Sequence, residues 1–183
     1  MTHIWSADSY AQAWRFAAQA HQGQTVTGSD LPYIVHVAGV AAEVMTALAR
    51  GADVAEPDLA VQCALLHDVI EDTPVTHQEL AQRFGQAVAD GVLALSKNPN
   101  LPSRSAQMAD SLARIRLQPR EIWLVKLADR ITNLQPPPVH WSAQKIAAYR
   151  EEAQAILETL GAADAYLAQR LAQKIAAYPD DAI

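Results

Sequence analysis

Several features that would place the protein outside the ordinary globular class are scarce or missing. Cysteine occurs once, at Cys63 in an apolar run, so the sequence offers neither a disulfide framework nor a cysteine-rich metal site. The first residues lack a basic stretch followed by an apolar one, which predicts no signal peptide. No apolar run approaches the about 18 residues that a membrane span requires. A free thiol in such a chain suits a reducing compartment, so we expect a cytoplasmic protein with no membrane segment.

Positive charge and glycine are also scarce. The 183 residues contain 14 Lys and Arg against 20 Asp and Glu, a net charge of −6. This balance argues against a broad basic surface for nucleic acid, although a small basic pocket for one phosphorylated ligand is compatible with it. Only seven glycines are present, and no segment alternates β-branched residues in the manner of a strand. With 50% hydrophobic residues, the chain is expected to form one all-α domain over residues 1–183.

Helical periodicity and capping residues predict about eight or nine helices. Ser6 fits an N-cap, Thr76 with Glu79 fits a capping box, and Pro57 fits the first turn of a helix. Gly51 fits the residue that closes a helix. The predicted helices cover 6–20, about 33–50, 57–68, 76–84, 86–97, 103–117, 119–134, 142–160 and 162–177.

The most informative polar residues close the third predicted helix. Helical spacing of four pairs His67 with Glu71 and Asp68 with Asp72, so four ionisable groups share one helix end. Three carboxylates there meet the unfavourable end of the helix dipole and repel one another. A bound cation would compensate them. The alternative interpretation is that Glu71 and Asp72 are simply solvated.

Two further signals support a site. Lys126, Asp129, Arg130 and Asn133 form a polar stripe on an otherwise apolar predicted helix, where the alternative is a solvent-facing surface. His36 follows an apolar run directly after a loop, where the alternative is a hydrogen-bonded core histidine.

Together the signals supply two imidazoles and two carboxylates without a thiol. This donor set suits Mn²⁺, Fe²⁺ or another hydrolytic divalent metal better than a structural zinc. The four candidate ligands are His36, His67, Asp68 and Asp129.

In this order the motifs resemble those of the HD phosphohydrolase superfamily. More narrowly, the chain is similar to the (p)ppGpp hydrolase domain of Rel/Spo-type enzymes in its stand-alone form, the small alarmone hydrolase. The resemblance covers about residues 10–160. It is carried by His-Gln-Gly-Gln at 21–24, Pro-Tyr-Ile-Val-His at 32–36, Leu-Leu-His-Asp-Val-Ile-Glu-Asp-Thr at 65–73, and Val-Lys-Leu-Ala-Asp-Arg-Ile-Thr-Asn at 125–133.

The resemblance implies an HD-domain helical bundle that releases pyrophosphate from the 3′ position of (p)ppGpp or a related nucleotide such as (p)ppApp. It implies that the four candidate ligands bind Mn²⁺, and that Glu71 and Asp72 position and deprotonate the attacking water. The expected partner is therefore a small nucleotide, and apolar positions on the last two helices are compatible with a homodimer. The substrate contacts are assigned to Asn133, Lys97, Lys126 and Tyr149.

The sequence departs from the family pattern at residues 25–30. This segment reads Thr-Val-Thr-Gly-Ser-Asp, without the Arg and Lys that usually lie near the phosphates. Gln135 likewise stands where the family often has Arg. These departures predict an altered preference for base or phosphate pattern. The alternatives are a nucleoside monophosphate phosphohydrolase and a non-catalytic nucleotide sensor, but a sensor would have no need of Glu71 and Asp72.

Overall fold

The computed structural model describes residues 4–179, so the ends of the predicted domain, 1–3 and 180–183, lie outside the described residues. Within residues 4–179 the chain is helical, and the only β pairing is an isolated bridge between Thr25 and Pro32. The all-α prediction is confirmed. No helix of this part of the chain has the length and apolar character to cross a membrane.

The described residues contain nine helices of eight residues or more, in agreement with the sequence prediction. A further helix has only four residues, and a short 3-10 helix at Gly161–Ala163 precedes the last element. The helices are α1 (Ala7–Ala20), α2 (Ile34–Ala49), α3 (Pro57–Leu66), α4 (Val69–Asp72), α5 (His77–Phe84), α6 (Gln86–Leu95), α7 (Arg104–Arg116), α8 (Arg120–Asn133), α9 (Ala143–Leu160) and α10 (Ala165–Ala177).

The predicted helix caps are present. The Ser6 hydroxyl accepts the amide of Ser9 at 3.3 Å, and the Thr76 hydroxyl accepts the amide of Glu79 at 3.2 Å. Gly51 follows α2 with φ +90°, a backbone conformation that favours glycine. Local sequence therefore determines where these helices begin and end.

The third predicted helix is interrupted, which corrects the expectation of one continuous helix end. Helix α3 stops at Leu66, His67 and Asp68 form a turn, and α4 then runs only from Val69 to Asp72. Val69 is fully buried and anchors this short helix in the core. As a result, the four ionisable residues are divided between a turn and a separate element.

Helix α8 lies at the centre of the bundle, packed against α2, α3, α9 and α10. Its closest approach to α2 depends on Gly39, because a Cβ at that position would lie 2.9 Å from Cγ2 of Thr132. Gly39 is three residues from His36, and Thr132 is three residues from Asp129. The absence of a side chain at Gly39 thus lets the two helices bring these candidate ligands together.

Candidate metal centre and active site

Four side chains from three elements converge where α2, the α3–α4 turn and α8 meet. The Nε2 atoms of His36 and His67 lie 3.2 Å apart. Oδ1 of Asp129 lies 3.5 Å from the first of these nitrogens and 3.8 Å from the second, and Oδ2 of Asp68 lies 2.8 Å from Nε2 of His67. The structure therefore brings all four predicted ligands together, and one ligand atom from each of His36, His67 and Asp129 lies within 4.8 Å of the others.

His67 is oriented by the backbone. Its Nδ1 donates to the carbonyl of Ala64 at 2.9 Å, which leaves Nε2 directed at the other ligands. Burial alone would lower the pKa of His67, but the neighbouring Asp68 and Asp129 carboxylates outweigh burial and raise it to about 9. Without a metal, the ring therefore holds an extra proton on the nitrogen that a metal would use.

Asp129 is held by two residues of its own helix. Its Oδ2 accepts Nζ of Lys126 at 3.1 Å, and its Oδ1 accepts Nδ2 of Asn133 at 2.5 Å. Although burial opposes ionisation, Lys126 and the two histidines hold the pKa of Asp129 well below its ordinary value. Of the polar stripe of α8, Lys126, Asp129 and Arg130 are buried and only Asn133, at the end of the helix, is exposed, so most of the stripe is not a solvent face.

Asp68 has a partner that the sequence motifs did not assign. The hydroxyl of Tyr33 donates to Oδ2 of Asp68. Burial would raise the pKa of Asp68, but the adjacent His67 holds it well below its ordinary value. The carboxylate is therefore ionised and fixed in direction, which are two requirements of a metal ligand.

The donor set fits a divalent metal. Both imidazoles direct Nε2 inward, both nearby carboxylates are ionised, and no thiolate takes part. Nitrogen and oxygen donors of this kind suit Mn²⁺, Fe²⁺ and related ions. A divalent cation would also replace the proton of His67 as the positive charge beside Asp68 and Asp129 in this buried position.

Glu71 and Asp72 lie in different surroundings although they are adjacent in sequence. Both oxygens of Glu71 are occupied, because Oε1 accepts Nζ of Lys97 at 2.6 Å and Oε2 accepts its backbone amide at 2.8 Å. This pairing replaces the predicted one between Glu71 and His67. Within residues 4–179, no cation forms a comparable pair with the Asp72 carboxylate. Burial, together with repulsion from Asp68 and Glu71, raises its pKa to about 6.

Tyr149 belongs to a second polar cluster beside the site. The Arg130 guanidinium stacks 4.3 Å from the centre of the Tyr149 ring and donates to Glu152 at 3.2 Å. Arg104 also pairs with Glu152, through two hydrogen bonds of 2.6 and 3.0 Å. The ring of Trp141 packs edge-on against Tyr149 at 5.3 Å. Sequence reasoning missed Arg104 and Glu152 as a pair because 48 residues separate them.

The loop without cations touches the proline segment that follows α8. The backbone closes it through hydrogen bonds from the Val26 amide to the Leu31 carbonyl and from the Tyr33 amide to the Gln24 carbonyl. Gly28 has φ +80°, and a Cβ there would lie 3.5 Å from Pro138. The loop therefore has a defined backbone conformation on the surface. It lacks positive charge because none of residues 25–30 is Lys or Arg.

A cavity of about 700 Å³ lies elsewhere, at the C-terminal end of α2. Its lining is mainly apolar and includes Trp5, Met45, Leu48, Val54 and Pro57. His36 lies in the first turn of the same helix, at the opposite end. We therefore place the chemistry at the buried polar cluster, where ionisable groups converge.

Comparison with known proteins identifies the family of the chain. A family model described as "HD domain" matches residues 13–165. The chain is 33% identical over 165 residues to a Danio rerio protein named guanosine-3′,5′-bis(diphosphate) 3′-pyrophosphohydrolase MESH1, covering 86% of this chain and 87% of that one. It is also 36% identical over 129 residues to the Escherichia coli bifunctional (p)ppGpp synthase/hydrolase SpoT, but it spans only 17% of that protein's length.

Among solved structures, the chain resembles one described as a metazoan ortholog of SpoT that hydrolyses ppGpp. The TM-score is 0.80 at 22% sequence identity, over 95% of this chain and 97% of that one. At this level of identity the match supports the fold. Its nearly complete coverage agrees with one helical bundle over the described residues.

Proposed function

Because the chain belongs to the HD domain family, we propose that it is a metal-dependent hydrolase that releases pyrophosphate from the 3′ position of guanosine 3′,5′-bis(diphosphate) or a closely related nucleotide. The observation that carries the proposal is the convergence of two imidazoles and two carboxylates beside Asp72, a carboxylate whose pKa is raised to about 6. The name of the Danio rerio relative supports the reaction, and the length of that relative is similar.

His36, His67, Asp68 and Asp129 would hold one divalent metal, for which we propose Mn²⁺. When bound, such an ion polarises phosphoryl oxygens and lowers the pKa of water. Lys126 and Asn133 contribute indirectly, since each donates to one oxygen of Asp129 and so keeps that carboxylate aimed at the two histidines. Tyr33 does the same for Asp68.

Asp72 is the proposed general base. A pKa near 6 leaves it ionised at neutral pH and still basic enough to accept a proton from water. As the water oxygen bonds to the phosphorus that carries O3′, its proton passes to Asp72. The bond from phosphorus to O3′ breaks, O3′ takes up a proton from solvent, and Asp72 returns its proton to solvent. The products are pyrophosphate and a nucleotide with a free 3′ hydroxyl.

Glu71 is better suited to positioning than to proton transfer. Both of its oxygens accept hydrogen bonds from Lys97, so the carboxylate is held in one orientation by that residue. The pairing also holds the Lys97 ammonium beside the base, where it can contact the phosphates of the substrate. Burial would lower the pKa of Lys97, but Glu71 raises it, so this cation remains charged.

We assign recognition of the nucleoside to Asn133 and Tyr149, with Arg104 and Arg130 beside them. The two arginines already share Glu152, and Lys126 is already paired with Asp129. A substrate with many phosphates must therefore compete with these carboxylates. This favours a second candidate, hydrolysis of a less highly phosphorylated nucleotide at the same centre.

The test is a hydrolysis screen of the Mn²⁺-loaded protein with product separation. Guanosine and adenosine 3′,5′-bis(diphosphates) and nucleoside monophosphates would be compared at equal concentration. Pyrophosphate release from a bis(diphosphate), abolished by a chelator, is the expected result. Release of orthophosphate from monophosphates alone would favour the second candidate, and no turnover of any substrate would favour a nucleotide sensor.

A further inference from the structure

The short helix that carries the proposed base cannot fix its own position. Helix α4 has only four residues, Val69–Asp72. A helix this short is not stable by itself. Its last carbonyl groups have no partner within the helix, and Glu71 and Asp72 lie at the end where the dipole disfavours negative charge. The direction of the Asp72 side chain therefore depends on contacts from other parts of the chain.

One of these contacts comes from the loop between α1 and α2. Nε2 of Gln24 donates to the backbone carbonyl of Asp72 at 2.8 Å, across 48 residues of sequence. The side-chain oxygen of Gln24 faces Nδ1 of His21 at 2.7 Å, so the imidazole donates to it. The hydrogen bonds thus run in one direction, from His21 to Gln24 and from Gln24 to Asp72.

The backbone holds His21 and Gln24 in this arrangement. The amide of Gln24 donates to the carbonyl of His21 at 3.0 Å, closing a turn in which Gly23 has φ +83°. A glycine meets this conformation at little cost. His21 is 3% exposed, and its ring packs 4.8 Å from the ring of Tyr33, whose hydroxyl donates to Asp68. The same turn is therefore connected both to a proposed ligand and to the proposed base.

We propose that His21 and Gln24 are positioning residues for the proposed base, with Gln24 holding the end of α4 through the Asp72 carbonyl and His21 fixing the orientation of the Gln24 amide. The inference rests on the proposed function, because it concerns the direction of Asp72 during hydrolysis. It explains why a histidine, a glycine and a glutamine occur together at 21–24, a pattern to which the chemistry of the metal centre alone assigns no role.

The test compares Gln24→Met with Gln22→Met. Methionine has a similar length and no charge but cannot donate to the Asp72 carbonyl, and Gln22 is an exposed residue of the same loop. Gln24→Met should lower kcat roughly 5- to 30-fold, the effect of losing one hydrogen bond worth about 1–2 kcal/mol, and should change KM less than about twofold. Metal content should remain at the wild-type level, and Gln22→Met should behave as the wild type.

A double-mutant cycle distinguishes positioning from a general structural role. If Gln24 acts through Asp72, Gln24→Met should change kcat by less than about twofold when Asp72 is already Asn. An equal loss in both backgrounds, or no loss in Gln24→Met alone, would overturn the inference while leaving the proposed base in place. If Asp72→Asn itself leaves kcat unchanged, the proposed base and this inference both fail.

The part played by His21 has its own comparison. His21→Phe keeps a ring against Tyr33 but removes the donor, so it should lower kcat in the same way as Gln24→Met and add little to it. His21→Asn provides an amide nitrogen near the position of Nδ1, and it should recover most of the lost rate. An equal loss in His21→Asn and His21→Phe would mean that His21 acts by packing, which would overturn its role in this proposal.

Discussion

At the centre of the site, three carboxylates face Lys126 and, without a metal, the protonated His67. At the rim, formed by Lys97, Arg104 and Arg130, each cation already has a carboxylate partner. Asp68 and Asp129 each lie within 4 Å of His36, and Asp72 is close enough to Asp68 for their charges to repel. Among residues 4–179, Asp129 is the one of the three that forms an ion pair with a lysine. At the rim, Lys97 is paired with Glu71, and Arg104 and Arg130 share Glu152.

The difference separates two tasks. Once His67 has lost its proton, the carboxylates of the centre outnumber Lys126, and a divalent cation would offset that negative charge. The centre therefore fits metal-assisted chemistry. At the rim, positive and negative charges are nearly balanced. An anionic substrate therefore binds there less strongly than it would to unpaired cations. We therefore expect strong dependence on the metal and only moderate attraction for additional phosphates.

The largest expected effect comes from removing one ligand at the centre. His67→Ala should abolish Mn²⁺ binding and hydrolysis, because it removes an imidazole nitrogen that lies within 4 Å of His36, Asp68 and Asp129. Metal content and turnover would be measured on the purified variant. His77→Ala is the matched control, since this histidine pairs with Asp90 away from the cluster. Normal metal occupancy and turnover in His67→Ala would mean that the site is elsewhere.

The next largest effect is a difference in kcat between variants of Asp72 and variants of its neighbour Glu71. Asp72→Asn should lower kcat by about 10²- to 10⁴-fold, the usual contribution of a general base, with metal still bound. Glu71→Gln should cost less, because it weakens the contact with Lys97 without removing the base. Steady-state kinetics on metal-loaded variants test both statements. A larger loss in Glu71→Gln than in Asp72→Asn would reverse the assignment.

A smaller effect is expected when the loop at residues 25–30 gains unpaired cations. Val26→Arg combined with Thr27→Lys should lower KM for guanosine 3′,5′-bis(diphosphate) roughly tenfold, because charge-assisted hydrogen bonds to phosphate become available. Salt should then weaken binding more steeply than in the wild type. Ala172→Arg with Gln173→Lys on α10 adds the same charge elsewhere. An unchanged KM with steep salt dependence already in the natural protein would show that other residues hold the phosphates.

The smallest expected effect is a change in the pH dependence of folding stability when Asp72 is replaced, measured with a chelator present. The pKa of Asp72 is about 6 in the folded protein against an ordinary value of 3.8. The folded state therefore binds more protons between these values, and its stability falls as pH rises through this window. Asp72→Asn removes that cost, so it should stabilise the protein more at pH 7.5 than at pH 4. Screening at this exposed side chain keeps the gain to about 1 kcal/mol.

Thermal unfolding of both proteins at the two pH values measures the difference. A stabilisation that is the same at both pH values would indicate that Asp72 has an ordinary pKa.

The sequence was sufficient for the parts of the molecule that local rules control. Caps such as Ser6 and Thr76 bond to backbone amides three residues away, so they predict helix starts without tertiary information. The convergence of His36, His67 and Asp129 was predicted from the combination of their motifs and from the resemblance of those motifs to the HD pattern, not from any one local signal.

The remaining features depend on pairings between distant residues. Lys97 meets Glu71 across 26 residues, and Gln24 meets Asp72 across 48, so no local pattern could predict either contact. The turn at His67 and Asp68 was also missed. Helical spacing predicted a continuous helix, but tertiary burial of Val69 sets the direction of the chain there.

Calorimetric titration of the chelator-treated protein with Mn²⁺ tests the central claim most directly, namely that the buried cluster is a metal centre. His67 has a pKa of about 9 in the absence of metal, so at pH 7.5 it must release its proton when Nε2 binds the ion. We predict one Mn²⁺ per chain and about one proton released, measured as a heat that changes with the ionisation enthalpy of the buffer. Absence of binding, or binding with a heat independent of the buffer, would contradict the account.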